Sequence, residues 1–157
     1  MRNAAPGIRV AVLAETGKSL AERLAQGSAD LALVTDEPWA VGLPSRRLFR
    51  EDYVCVARRD HPFRGRRLFL AAYCGQEHAV VSPVGGEFAT PVDDTLAGLG
   101  VSRRVAVSLP GFHLMLGIVW ASDILALVPK RIADCVGATL RRFDSLFDLP
   151  RVEVSAC

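Results

Sequence analysis

The chain has 157 residues, half of them hydrophobic, and a formal net charge of +2. This length suits one domain or two small lobes, and so small a net charge excludes proteins that bind nucleic acid through a strongly basic composition. The apolar stretch at 114–129 contains Gly117, Asp123 and Pro129, so it predicts a helix and then a strand rather than a membrane-spanning helix.

The start of the chain and its cysteines favour a cytoplasmic protein without membrane contact. Residues 1–10, MRNAAPGIRV, lack the apolar core of a secretory signal. The four cysteines, at 55, 74, 135 and 157, form no closely spaced pair. We therefore expect free thiols, most of them buried.

The first three predicted elements form a strand–helix–strand unit. The β-branched run at 8–15 predicts a strand, and Ser19 and Glu22 have the spacing of a capping box for a helix that Gly27 ends. The apolar run at 30–35 predicts a second strand, covered on both faces. Such a unit predicts two parallel strands joined by a right-handed crossover.

The later elements continue this alternation of strands and helices. A Gly-rich turn, PVGGEFA, precedes a helix that begins at Thr90-Pro91 and ends at Gly100. The other predicted helices lie at 68–73, 110–122 and 130–136. The predicted strands lie at 46–50, 52–58, 78–82, 103–109, 123–129, 140–143 and 151–156.

Small residues end several of these strands. Thr35 and Ser82 each close a predicted strand, and Ser108 lies at the end of another, before Pro110-Gly111 and at the mouth of a long helix. Open parallel sheets bind ligands beyond the carboxyl ends of their strands, where helix N-termini offer N–H groups to anions. A serine there is equally suited to plain N-capping, and the Gly-rich turn is either a ligand-lining loop or an ordinary turn.

The sequence contains no motif for catalysis or cofactor binding. It lacks G-x-x-x-x-G-K-[ST], G-x-G-x-x-G, G-x-S-x-G, H-E-x-x-H and C-x-x-C. Cys74 and His78 would supply only half of a zinc site, so we favour structural roles for both, and we expect His113 to be partly buried. Asp93 and Asp94 suit the first turn of a helix. We expect no catalytic residue, no metal and no cofactor.

Five segments, in this order and spacing, resemble the effector-binding domain of LysR-type transcriptional regulators. They are LAERLAQGSADLALVTDEP, RRLFREDYVCVARRDHPF, HAVVSPVGG, PVDDTLAGLG and ASDILALVPKRIAD. The shared pattern is L-x-x-G-x-x-D-L-A-[LI], a strand ending in HP, and G-[IL]-x-[AL]-[LV]-P-x-R, where this chain has SDILALVPKRIA. The resemblance extends from about residue 6 to residue 155.

This resemblance implies an α/β, two-lobed, type 2 periplasmic-binding-protein-like fold with three-layer lobes. Lobe one is expected at 1–58 plus about 138–157, lobe two at about 65–130, and connectors at 59–64 and 131–137. The cleft between the lobes is expected to hold a small-molecule inducer. The implied ligand-binding residues lie at the strand ends: Thr35, Ser82, Pro83, Val84, Gly85, Ser108, Pro110, Gly111 and Phe112.

Compared with the family, the sequence starts after the winged helix-turn-helix and after the first strand and helix of lobe one, and it lacks a helix after VEVS. We therefore expect DNA binding only through a domain absent from this chain. The runs at 8–15 and 30–35 would flank the gap left by the first strand. Because unpaired strand edges recruit partners, we expect self-association through lobe one, as a homodimer or a larger assembly.

Two other classes of protein use this fold. A transport-type solute-binding protein is disfavoured because a secretory signal is lacking and RRDHPF matches the regulators. An enzyme such as a dehydratase or deaminase is disfavoured because no acid–base or nucleophile group is evident. The sequence therefore predicts a non-enzymatic, ligand-sensing regulatory domain.

Overall fold

The strands of the protein form two sheets. The structure is a computed structural model, which describes residues 3–13, 20–35, 44–65, 67–83, 85–143 and 151–157. The first sheet is antiparallel, with the order β1-β8-β2. Its strands are β1 (Leu33–Val34), β2 (Arg46–Glu51) and β8 (Val152–Ala156). The first described strand of the chain thus pairs with the last one.

The second sheet has five strands in the order β5-β4-β6-β3-β7. Strand β4 pairs in parallel with β5 and β6, whereas β3 pairs antiparallel with β6 and β7. These strands are β3 (Tyr53–Arg58), β4 (Glu77–Val81), β5 (Arg104–Leu109), β6 (Leu125–Pro129) and β7 (Leu140–Phe143). All residues of the central strand β6 are buried, which explains its uninterrupted apolar sequence.

Helices cover both faces of the five-stranded sheet. These helices are α2 (Leu70–Cys74), α3 (Pro91–Gly98), α4 (Phe112–Ala121) and α5 (Lys130–Val136), and a short 3-10 helix follows at Gly137–Thr139; α1 (Leu20–Ala25) precedes the three-stranded sheet. Leu125 packs with side chains of α2 and α3, whereas its neighbour Ala126 packs with those of α4 and α5. The alternation of side chains along a strand therefore builds two cores, and the predicted three-layer arrangement holds for this sheet.

A buried arginine connects three elements of the first of these cores. The guanidinium of Arg103 donates to both carboxylate oxygens of Asp93, each at 2.8 Å, to the Tyr73 hydroxyl at 2.6 Å and to Thr90 Oγ1 at 2.9 Å. Thr90 and Asp93 also form a capping box at the start of α3. Burial alone would raise the pKa of the Asp93 carboxyl, but hydrogen bonds from Arg103 and Thr90 lower it overall.

A buried histidine explains the HP ending of the strand in the sequence pattern. His61 is 1 % exposed, and its Nδ1 accepts a hydrogen bond from the N–H of Phe63 at 3.1 Å. The proton is therefore on Nε2, which donates to the carbonyl oxygen of Asp123 at 2.9 Å. Asp123 also binds Arg58 through its carboxylate at 2.6 Å. His61 thus holds the end of β3 to the turn between α4 and β6.

The predicted strand at 8–15 is wrong over its described part. Residues 8–13 have no strand conformation, and Ile8, Val10, Val12 and Leu13 are exposed; residues 14 and 15 lie outside the described residues, as does Ser19 of the predicted capping box. The predicted parallel pair is likewise wrong, because β1 pairs antiparallel with the C-terminal strand β8. A local pattern cannot report a partner more than a hundred residues away.

The predicted coverage of residues 30–35 on both faces is also wrong. Ala32 and Val34 are buried against Leu20 of α1, whereas Leu31 and Leu33 are exposed. In the described residues, the three-stranded sheet is therefore covered by α1 on one face, and the alternation is that of a half-buried strand. Helix α1 itself is confirmed, and Gly27, with a φ of 69°, follows its end.

The strand pairing differs from the predicted division into lobes at two segments. Residues 53–58 and 140–143, predicted to lie in lobe one, both pair within the five-stranded sheet. The passage from one sheet to the other thus occurs at Asp52, the residue between β2 and β3. The pattern of a strand does not reveal its neighbours, which is why the sequence placed these segments with the other lobe. The remaining boundaries stay predictions.

The later helices and strands agree with the sequence within two residues at each end. All four cysteines are free, but only Cys55 is buried, so the expectation of mostly buried thiols is wrong. Burial raises the pKa of Cys55 to about 12. Among the described residues, no helix is long and apolar enough to cross a membrane.

Candidate functional site

The carboxyl ends of β4 and β5 bring two of the predicted site residues together. The parallel register pairs Val80 with Ser108 and Val81 with Leu109, and the N–H of Ser82 donates to the Leu109 carbonyl oxygen at 2.9 Å. Ser82 therefore extends this pairing by one residue. Both hydroxyls lie at the same end of adjacent parallel strands, where open α/β sheets bind ligands.

A glutamate that the sequence analysis did not single out connects these two serines. Ser108 Oγ donates to the backbone carbonyl of Glu87 at 2.6 Å, and Ser82 Oγ donates to the Glu87 carboxylate at 3.3 Å. Ser82 is buried, whereas Glu87 is exposed. The Gly-rich turn is therefore folded against both strand ends by Glu87. The only signal in the sequence was an acid within a glycine-rich loop after a strand.

The loop itself contains several of the predicted residues. The N–H of Gly85 donates to the Ser82 carbonyl at 3.0 Å, and Gly85 and Gly86 have φ values of 85° and 82°. A side chain is strained at such positions, so these two glycines permit the turn. Pro83 is exposed, and Val84 lies outside the described residues.

Helix α4 begins beside these strand ends. Gly111 is its N-cap residue, and no side chain caps the helix, so the first N–H groups lack the acceptor that a Ser or Asp cap would provide. Pro110 is exposed and Phe112 is half-buried. The mouth of α4 thus offers hydrogen-bond donors next to Ser108.

An aromatic pair lies at the same edge of the sheet. The ring of Phe112 is 6.4 Å from that of Tyr53, centroid to centroid, and Tyr53 is the register partner of Pro129, the last residue of β6. Burial, and secondarily the charge of Glu51, raises the pKa of the Tyr53 hydroxyl, so that group is a neutral hydrogen-bond donor and acceptor. The sequence analysis did not single out Tyr53, because its strand runs antiparallel to β6 and begins where β6 ends.

Thr35 belongs to the other sheet. It follows β1 directly and is exposed, and no described hydrogen bond connects it with Ser82, Ser108 or Glu87. That all three predicted hydroxyls face one groove between the lobes stays a prediction.

Histidines and cysteines were candidates for a metal site. Within the described residues, no group of three metal-ligating side chains is present. His78 is fully buried, and its Nε2 lies 2.8 Å from the carbonyl oxygen of Tyr73. His113 is exposed, so the expectation that it would be partly buried is wrong.

Comparisons with known proteins agree on one family. Residues 1–153 match the family model of the LysR substrate binding domain. The chain belongs to the LysR substrate-binding domain family. The transcriptional activator NahR of Pseudomonas putida is 33 % identical over 134 residues, which cover 83 % of this chain and 43 % of that protein. The chain therefore spans less than half the length of this curated LysR-type relative.

Solved structures of regulators have the same fold. The probable transcriptional regulator PA0477 from Pseudomonas aeruginosa is 34 % identical, with a TM-score of 0.82, and the match covers 99 % of this chain and 53 % of that one. The regulatory domain of MexT, a transcriptional activator in the same species, is 25 % identical with a TM-score of 0.78, covering 99 % and 75 %. These matches confirm the LysR resemblance and the two-lobed periplasmic-binding-protein-like fold.

Proposed function

We propose that this LysR substrate-binding domain senses a small-molecule effector at the carboxyl ends of β4 and β5. The observation that carries the proposal is the convergence of Ser82 and Ser108 on adjacent parallel strand ends, beside the start of α4. Thr35, which directly follows β1 of the three-stranded sheet, is the third hydroxyl of the proposed site. Hydroxyls and backbone N–H groups bind and orient a polar ligand, and the relatives of this chain are transcriptional regulators. The proposed activity is therefore binding without catalysis.

Replacing Ser108 with Ala is expected to weaken ligand binding about tenfold, because one hydrogen bond of about 1.4 kcal/mol is lost at the site. A thermal-shift screen with a library of small organic acids would identify a ligand, and isothermal titration would measure both affinities. The control is Ser102→Ala, an exposed serine that precedes β5. If Ser102→Ala and Ser108→Ala weaken binding equally, the site assignment is wrong.

We infer that the parent regulator acts in the cytoplasm and contacts DNA through a segment other than this chain. The isolated chain is expected to bind DNA weakly and without sequence preference, because the basic run at 58–67 can contact phosphates but presents no element that reads base edges. Fluorescence anisotropy with two unrelated duplexes at several salt concentrations measures this. Tight binding of one duplex at physiological salt would contradict the inference.

Self-association through the three-stranded sheet is the expected state of the isolated chain. Leu31 and Leu33 are exposed beside one another, and Val12 is 91 % exposed; β1 also has a free edge in the described sheet. Apolar surface and an open edge of this kind favour contact with a second copy. Sedimentation at micromolar concentration is expected to show a dimer or larger species. Leu31→Lys combined with Leu33→Lys should shift it to monomer; a monodisperse wild-type monomer would refute the expectation.

A further inference from the structure

A buried carboxylate lies where the chain passes from one sheet to the other. Glu51 is the last residue of β2, and only Asp52 separates it from β3. Glu51 is 7 % exposed, which is unusual for an ionisable side chain and requires good partners. Glu51 is not one of the residues of the effector site proposed above.

The partners of Glu51 come from the first turn of α5. The N–H of Arg131 donates to Oε1 at 3.2 Å, and Nε of the same residue lies 3.3 Å from Oε2. The N–H of Lys130 donates to the carbonyl oxygen of Asp52 at 2.7 Å. Since Pro129 provides no side-chain cap, α5 is capped by a carboxylate 80 residues earlier in the chain.

Further contacts extend this arrangement to the three-stranded sheet. The guanidinium of Arg131 lies over the ring of Phe49 in β2, 4.2 Å from its centroid. The carboxylate of Asp52 forms an ion pair with Arg151 at 3.2 Å, and Arg151 directly precedes β8. The cluster therefore contacts β2 through Phe49 and the residue before β8 through Arg151.

The cluster also adjoins the proposed effector site. Tyr53 and Pro129 are register partners; the first lies two residues after Glu51, and the second directly precedes Lys130. The ring of Tyr53 also packs beside Phe112 at the mouth of α4, so Tyr53 lies between the cluster and the proposed effector site.

We propose that Glu51, Asp52, Lys130 and Arg131 form a latch that holds the two sheets in one relative orientation, with Glu51 as its positioning residue. The latch couples opening between the sheets to the strand ends at which an effector is proposed to bind. This part of the inference rests on the proposed function, whereas the coupling between the sheets does not.

Hydrogen exchange measured by mass spectrometry without any ligand tests the latch. In Glu51→Gln and in Arg131→Gln, the amides of β2 and β8 are expected to exchange about tenfold faster relative to those of β4 and β6, because losing the ion pair of the buried Glu51 carboxylate lets one sheet open separately. The matched control is Glu77→Gln, which removes the same charge from the exposed pair with Arg104 at 3.1 Å. It should leave this ratio within about twofold.

Equal acceleration of exchange in both sheets would overturn the latch, because the Glu51–Arg131 pair would then affect only global stability. No acceleration in either sheet would overturn it too, because the pair would then have no effect on opening. Arg131 is largely exposed, so Arg131→Gln remains informative if Glu51→Gln does not fold. Failure of the ligand screen would refute the proposed function alone, since the exchange experiment contains no ligand.

Discussion

Replacing Arg103 with Met is expected to lower the free energy of unfolding by about 4 kcal/mol, because one partner of a buried, hydrogen-bonded ion pair is removed. The side chain of Arg103 is 2 % exposed, and its loss leaves the Asp93 carboxylate and the Tyr73 hydroxyl without their shared donor. Urea denaturation followed by circular dichroism measures the change. The substitution is also expected to remove the hydrogen bonds that connect α3 with the start of β5.

The neighbouring residue provides the control for this prediction. Arg104 forms an ion pair with Glu77 at 3.1 Å, but its side chain is 79 % exposed. Arg104→Met is therefore expected to change the free energy of unfolding by about 0.5 kcal/mol or less. Comparable losses in the two variants would show that the burial of Arg103 does not determine its contribution.

The stability of the protein is expected to fall by about 3 kcal/mol between pH 6.5 and pH 4, through His78 alone. Burial lowers the pKa of His78 from its ordinary value of 6.5 to about 4; the hydrogen bond to Tyr73 opposes this shift, and the charge of Arg103 adds to it. The folded state therefore holds neutral imidazole while the unfolded state takes up a proton. The stabilisation is fully present above pH 6.5 and is lost as the pH falls toward 4.

The geometry around His78 supports this direction. Its Nε2 faces the Tyr73 carbonyl at 2.8 Å, and its Nδ1 is buried without a described hydrogen-bond partner. A second proton would thus be placed on a nitrogen without an acceptor, near the guanidinium of Arg103. The Asp93 carboxylate, which favours the charged form, does not reverse the shift.

Thermal unfolding between pH 7 and pH 4 tests this prediction. His78→Asn is expected to flatten the profile, because the amide does not take up a proton in this range. His113→Asn changes an exposed histidine on α4 and should leave the profile as in the wild type. A profile in His78→Asn as steep as that of the wild type would assign the acid sensitivity to other groups.

Most of the second, five-stranded half was predictable from local signals. The start of α3 is predictable from Thr90, Pro91 and Asp93, because a capping box and an N1 proline both depend only on residues within four positions of one another. The uninterrupted apolar run of β6 likewise reflects burial on both faces of a central strand. The two serines of the proposed site were found from the sequence because each lies at the carboxyl end of a predicted strand: Ser82 directly follows β4, and Ser108 is the residue before the last one of β5.

The residues that the sequence analysis missed depend on partners far along the chain. Glu87 becomes significant only because β4 and β5 are adjacent and parallel, which brings Ser82 and Ser108 to its two sides. Glu51 and Arg131 are 80 residues apart. Each has charged neighbours in the sequence, as residues on an exposed surface commonly do, so neither looks unusual. The burial of Arg103, next to the exposed Arg104, follows from the position of α2 and α3 rather than from a difference in local sequence.

The sequence by itself determined the helices and strands of the five-stranded half, the absence of a cofactor motif and the resemblance to LysR-type regulators, because capping, periodicity and motif order are local or linear properties. Only the tertiary structure decided that residues 53–58 and 140–143 join the five-stranded sheet, that β1 pairs with β8, and that residues 8–13 are not a strand. The physical reason is that a strand satisfies its N–H and C=O groups only through a neighbour. The identity of that neighbour depends on the packing of the whole chain.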